Sequence, residues 1–128
     1  MRLNLHKRTM LTYAAKAYGI DIVFEKIEGD DYEIMIRERK RMQLREWNPY
    51  ESDAQAFQLA VALNLEIKVS DESIEVGNNR IITTCSPGEN KAASVRECIV
   101  EIAADVGKQM ESEEEAEDEG EDGDEDNQ

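Results

Sequence analysis

Ala17-Tyr18-Gly19-Ile20-Asp21-Ile22-Val23-Phe24 holds the end of a helix and the start of a strand within eight residues. Upstream, Leu11, Ala14, Ala15 and Tyr18 follow the i, i+3, i+4, i+7 spacing of an amphipathic helix. Asn4 is placed to cap its start. Gly19 suits the left-handed position that ends a helix, because it has no Cβ to clash there. Downstream, Ile20, Ile22 and Phe24 alternate with Asp21, Val23 and Glu25, the pattern of a strand with one buried face. Forty-five positions later Ala62-Leu63-Asn64-Leu65-Glu66-Ile67 repeats the pattern, with Asn64 as the left-handed residue. Both a duplication and the same local physics used twice account for this echo.

Working outward, Gly29-Asp30-Asp31 is turn chemistry, and Tyr32, Ile34 and Ile36 alternate as the return strand of a hairpin. A third strand is expected over Met42–Trp47, after a turn within Glu38–Arg41. Asn48-Pro49 ends it, since the proline ring removes a ladder donor. Ser52 or Asp53 caps a second helix to about Leu63, with Ala56, Leu59, Ala60 and Leu63 on one face. Strands follow at Leu65–Ser70, Ile74–Val76 and Ile81–Thr84, linked by Asp71-Glu72-Ser73 and Gly77-Asn78-Asn79. After the loop Cys85-Ser86-Pro87-Gly88, Asn90 opens a last helix striped by Ala92, Val95, Ile99, Ile102, Ala103 and Val106 and ending near Met110. The expected fold is α+β, with antiparallel β-hairpins forming a sheet and about three helices packed on one face. Residues 1–110 make the single domain.

Residues 111–128 differ in kind. Glu111, Glu113, Glu114, Glu115, Glu117, Asp118, Glu119, Glu121, Asp122, Asp124, Glu125 and Asp126 are twelve carboxylates with no Lys, Arg or His among them. The whole chain carries −15, so the domain without them carries −15 + 12 = −3. With only Ala116 to bury, this segment is expected to stay solvated and disordered. A polyanion of this kind is visible to any basic surface and steers association in a salt-dependent way. A tail that serves solubility alone is the plainer reading.

Composition excludes several classes. No apolar run approaches the roughly 18–20 residues that cross a bilayer, so no membrane association is expected. The start, Met-Arg-Leu-Asn-Leu-His-Lys-Arg, lacks an apolar h-region, which points to the cytoplasm. Cys85 and Cys98 lack metal or redox spacing and are expected to be reduced thiols, with Cys98 acting as a small hydrophobe. The single histidine, His6, neighbours only Lys7 and Arg8, so it has no local group to orient its proton. No phosphate-binding glycine loop or nucleophile elbow occurs, and no cofactor is implied. Asp118-Glu119-Gly120-Glu121-Asp122-Gly123 resembles the start of a calcium loop, but its third position is a glycine and the loop's last ligand falls past Gln128. No metal site and no enzyme are expected.

Arg37, Arg39, Lys40, Arg41 and Arg45 gather five cations in nine residues around the expected hairpin tip. They are candidates for phosphate contacts, with Trp47 and Tyr50 as stacking partners. A charged tip that blunts a sheet edge, and a Trp47 that anchors the core, are the bland alternatives. The cluster also offers a surface to the chain's own acids.

Trp47-Asn48-Pro49, Asp53-Ala54, Ala56-Phe57, Leu59, Ala60 and Leu63 are joined by Ala14-Ala15-Lys16-Ala17 and by the closing-helix residues Ala92-Ala93-Ser94-Val95-Arg96, Ile99-Val100 and Ala103-Ala104 through Gly107. In these residues the chain from about Leu11 to Gly107 resembles the NinX-like small proteins of tailed phages and prophages, a group of unknown function. The resemblance implies a phage origin and an accessory role in the host bacterial cytoplasm, and no activity. The acidic tail departs from that pattern. Together these readings lead to a non-enzymatic phage accessory protein that binds a basic host protein or a nucleic-acid-handling complex through its acids, with a defence or anti-defence role in view. The alternative is a nucleic-acid-binding factor that uses Arg37–Arg45, with the tail as an intramolecular competitor. The sequence assigns no oligomeric state.

Overall fold

Asn4 starts the first helix as its sequence dictates: its extended backbone and side-chain carbonyl cap α1 (Leu5–Tyr18), accepting from the Lys7 amide at 2.8 Å. Gly19 ends it at φ 86°, where its N–H donates to the Ala15 and Lys16 carbonyls and the Ile20 N–H returns to Ala15. A computed structural model describes the backbone of residues 4–28, 31–37 and 44–126, with side chains for 4–24 and 47–114.

The chain then forms β1 (Asp21–Glu28) and β2 (Asp31–Arg37), paired antiparallel with Ile22 opposite Ile36 and Phe24 opposite Ile34. A short β3 (Leu44–Glu46) adds to β2, with Arg45 opposite Ile36. Ser52 caps α2 (Asp53–Ala62) by accepting from the Gln55 amide at 3.2 Å. Asn64 takes up φ 55°, and the Leu65 N–H returns to the Ala60 carbonyl as Ile20 does to Ala15. β4 (Glu66–Val69), β5 (Ile74–Gly77) and β6 (Ile82–Cys85) follow as a second antiparallel meander. Asn90 opens α3 (Lys91–Asp126), its Oδ1 accepting from the Ala93 amide at 3.1 Å.

The fold is α+β, with three helices and antiparallel strands as the sequence implies. The strands divide into two sheets of three, ordered β1-β2-β3 and β4-β5-β6, where the sequence reading has the hairpins forming a sheet. The chain thus runs through helix, left-handed exit and meander twice, and α3 closes it.

α3 packs against α1, α2, β5 and β6 and so forms the centre of the core. Its Cys98, Val100, Ile102, Ala103 and Ala104 are fully buried, with Leu11, Ala14, Leu59, Ile74 and Val76 from the elements around it. Ile74 and Val76 alternate with the exposed Glu75, which identifies the sheet face that is covered.

The sequence reading ends the last helix near Met110, whereas the backbone of α3 stays helical to Asp126. Glu and Ala are strong helix formers, and nothing between Glu111 and Glu119 breaks a helix. Glu113 and Glu114 are solvent-exposed, as expected of a solvated acidic segment.

Candidate functional site

Two regions carry the residues singled out in the sequence. The first is the link Trp47-Asn48-Pro49-Tyr50, all four buried. The Trp47 ring is only 1% exposed and stacks on Tyr18, with centroids 6.3 Å apart and planes within 10°. Asn48, also buried, accepts at Oδ1 from the Tyr50 amide at 3.1 Å, and its own N–H donates to Gln55 Oε1. Its carbonyl accepts from the Glu51 and Ser52 amides. The Tyr50 carbonyl accepts from Arg96 Nε at 2.7 Å, while Arg96 Nη1 reaches Asp53 Oδ1 at 2.6 Å. Lys7 Nζ lies 5.2 Å from the centre of the Tyr50 ring. Burial, and then the charges of Glu97 and Glu101, push the Tyr50 hydroxyl well above its usual range.

This link ties together all three helices, and it corrects one expectation. Trp47 and Tyr50 are spent on the core and are not available to stack on bases. The bland reading of Trp47 as a core anchor holds. In sequence Asn48 reads only as part of a strand-ending turn and Arg96 only as one residue of the closing helix, because burial of a turn Asn leaves no local signal.

Of the basic cluster, Arg37 ends β2 opposite Leu44, and Arg45 stands opposite Ile36. The register therefore places both at the end of the β2–β3 ladder from which residues 38–43 connect the strands. Arg39, Lys40 and Arg41 lie outside the described residues.

The second region is the acidic end of α3. Glu111 joins Thr9, Thr12, Tyr13 and Lys16 around an open groove between α3 and α1. Lys16 Nζ pairs with Glu114 Oε2 at 2.8 Å, and Lys108 Nζ lies 5.5 Å from the centre of the Tyr13 ring. The first turn of the acidic segment is thus tied to α1. Such an exposed pair contributes about 0–1 kcal/mol. From Glu115 onward only the helical backbone is described.

That backbone alters the charge density. An extended chain spaces these carboxylates roughly 5 Å apart, given at most about 3.6 Å per residue. In a helix rising about 1.5 Å per residue, the twelve acids of Glu111–Asp126 fall on about 24 Å of axis. One negative charge then occurs every ~2 Å, close to the ~1.7 Å of duplex DNA.

His6 is exposed on the first turn of α1. Cys85 and Cys98 are free thiols on β6 and α3, the first donating to Glu101 Oε2 at 3.4 Å and the second to the Thr83 carbonyl at 3.7 Å. Burial first, and for Cys85 also the neighbouring Cys98 and Glu101, pushes both thiols up, which keeps them protonated and poorly nucleophilic. Among the described residues no group of three or more His, Cys, Asp or Glu side chains could hold a metal ion. Among them also, no helix is long and apolar enough to cross a membrane.

Comparison with protein-family models, with curated proteins and with solved structures finds no match to this chain.

Proposed function

We propose that the protein is a non-enzymatic accessory factor, of phage origin and acting in the host cytoplasm, that engages a basic protein or a nucleic-acid-handling complex through the acidic end of α3. One observation supports this above the others: a helical backbone carries twelve carboxylates at nearly the axial charge density of a DNA duplex. A surface built to bind phosphates meets a similar run of negative charge on this helix. The core ends where the acids begin, so the charged segment extends from a rigid base. Desolvating a polyanion is costly, so the reading favours steering and rim contacts whose strength falls with salt.

The test compares partners captured from bacterial lysate by the full chain and by a chain stopped after Met110, at low and high salt. A basic partner held only by the full chain, and released by salt, is the expected result. Identical partners for both chains at both salts would remove the acidic segment from the function.

A second reading draws on the β2–β3 register, which sets Arg37 and Arg45 beside the connection carrying Arg39, Lys40 and Arg41. Here the cluster binds nucleic acid and the acidic segment competes for it. On this reading, stopping the chain after Met110 raises DNA or RNA affinity, and Arg39→Ala with Arg41→Ala removes the gain. Equal binding by all three chains would eliminate it.

A further inference from the structure

The apolar face of the second sheet continues past the cover that α3 provides. Ile67 stands opposite Val76 and Val69 opposite Ile74, so all four project from the same face. Ile74 and Val76 are completely buried, yet Ile67 is 39% and Val69 47% exposed. All four residues of β4 are open to solvent, and β4 is an edge strand. It has no bulge and no proline to protect that edge, since its register with β5 is unbroken from Glu66 to Val69.

The hydrogen-bonding direction of that edge follows from the two hairpins. Ser70 N–H donates to the Ser73 carbonyl, and Asn78 N–H to the Ile81 carbonyl, each at 2.9 Å. Bonded and non-bonded pairs alternate along an antiparallel ladder. Counting from these closing pairs, Lys68 with Glu75 and Glu66 with Gly77 exchange bonds inside the sheet. Ile67 and Val69 do not, and their N–H and C=O groups point outward from the free edge. Both hairpins give the same answer.

We propose that this edge pairs with the β4 of a second copy of the chain, antiparallel about a two-fold axis at Ile67. Several registers keep the apolar faces together, and charge favours one of them. Centring on Lys68 sets two ammonium groups opposite each other, and centring on Glu66 sets two carboxylates opposite each other. Centring on Ile67 sets Glu66 against the partner's Lys68 and Lys68 against the partner's Glu66. These are non-bonded pairs, where facing side chains come closest. The same register lets the two Ile67 residues exchange their outward N–H and C=O groups, and brings each Val69 N–H to the partner's Leu65 carbonyl. The two sheets become one sheet of six strands. Ile67 then faces the partner's Ile67, and Val69 the partner's Leu65. The inference is independent of the acidic segment.

The experiment is sedimentation equilibrium of the full chain, with two charge reversals at exposed positions. The wild-type chain is expected to dimerise in a concentration-dependent way. Lys68→Glu places carboxylates opposite one another at the seam and weakens the dimer by about tenfold or more. Adding Glu66→Lys to that variant reverses both pairs and restores the dimer. As an independent readout, Ile67→Cys should crosslink under mild oxidation, because bonded partners stand about 5.5 Å apart at Cα, within disulfide range. A wild-type chain that stays monomeric at all concentrations, a dimer indifferent to Lys68→Glu, or a double reversal that fails to restore it would each overturn the proposal.

Discussion

Gly107 of α3 lies so close to Tyr13 of α1 that a Cβ on the glycine would overlap the Tyr13 carbonyl oxygen. The two helices cross there backbone to backbone, and the atom in the way belongs to a main chain that cannot rotate aside. Gly107→Ala should therefore destabilise the fold, although alanine is the better helix former by about 1 kcal/mol. Forced separation of packed elements costs about 1–3 kcal/mol or more, so overpacking outweighs propensity. A lower urea midpoint with an unchanged m-value is the expected result. A midpoint equal to or above that of the wild type would show that the helices can part freely.

Arg96 offers a comparison between two bonds of one side chain. Its Nε bond to the Tyr50 carbonyl is sheltered, whereas Asp53, which takes its Nη1, is 78% exposed. Arg96→Met should cost about 1.5–3 kcal/mol, the range for hydrogen bonds to a charged group. Asp53→Asn should cost less than about 1 kcal/mol, since that half of the interaction is screened by water. Lysine cannot reproduce the planar fork, so Arg96→Lys should fall short of wild type. Equal losses for Arg96→Met and Asp53→Asn in urea denaturation would assign the stability to the ion pair instead.

What the sequence discloses here follows the range of the forces involved. The caps at Asn4 and Asn90 and the left-handed exits at Gly19 and Asn64 are set within a few residues and stand where the sequence puts them, and of the two candidates Ser52 and Asp53 it is Ser52 that caps. The split into two sheets is a matter of which strands meet across long separations. Alternation fixes a strand's buried face but not its neighbour. Tyr50, a candidate stacking partner in the sequence, is buried in the core, and its carbonyl is held by Arg96, forty-six residues away, a contact no local pattern discloses. Gly107 carried a readable signal, a glycine within a helical stripe, though its partner could not be inferred. Of the candidate residues, the acidic run was legible as composition, but its helical backbone was not, because repulsion and propensity oppose each other there.

The paired thiols predict an alkaline loss of stability. Burial raises Cys85 and Cys98 above the ordinary thiol value of 9.0. Below that value both folded and unfolded chains keep the protons, and the stability is fully present. As pH rises through about 9 the unfolded chain releases them first, so stability falls until the folded thiols also ionise. Tyr50, raised in the same sense, adds to the loss above about pH 10. Urea midpoints at pH 7, 8.5 and 9.5 should therefore decline, and Cys85→Ser with Cys98→Ala should flatten the decline. An unchanged slope in that double variant would place its origin elsewhere.

The acidic end of α3 is a helix that its own charge opposes. Eight i, i+4 positions between Glu111 and Asp126 hold an acid at both ends. Like charges at that spacing cost about 0.2–0.5 kcal/mol a pair, so together they oppose the helix by roughly 2–4 kcal/mol. A basic polymer that neutralises the run should therefore deepen the 222 nm ellipticity of the full chain and leave that of a chain stopped after Met110 unchanged. Salt should release the polymer and reverse the effect. If the two chains respond identically to the polymer, the helical backbone beyond Met110 does not depend on its charge, and the duplex-like spacing of that charge is then no longer tied to what the segment binds.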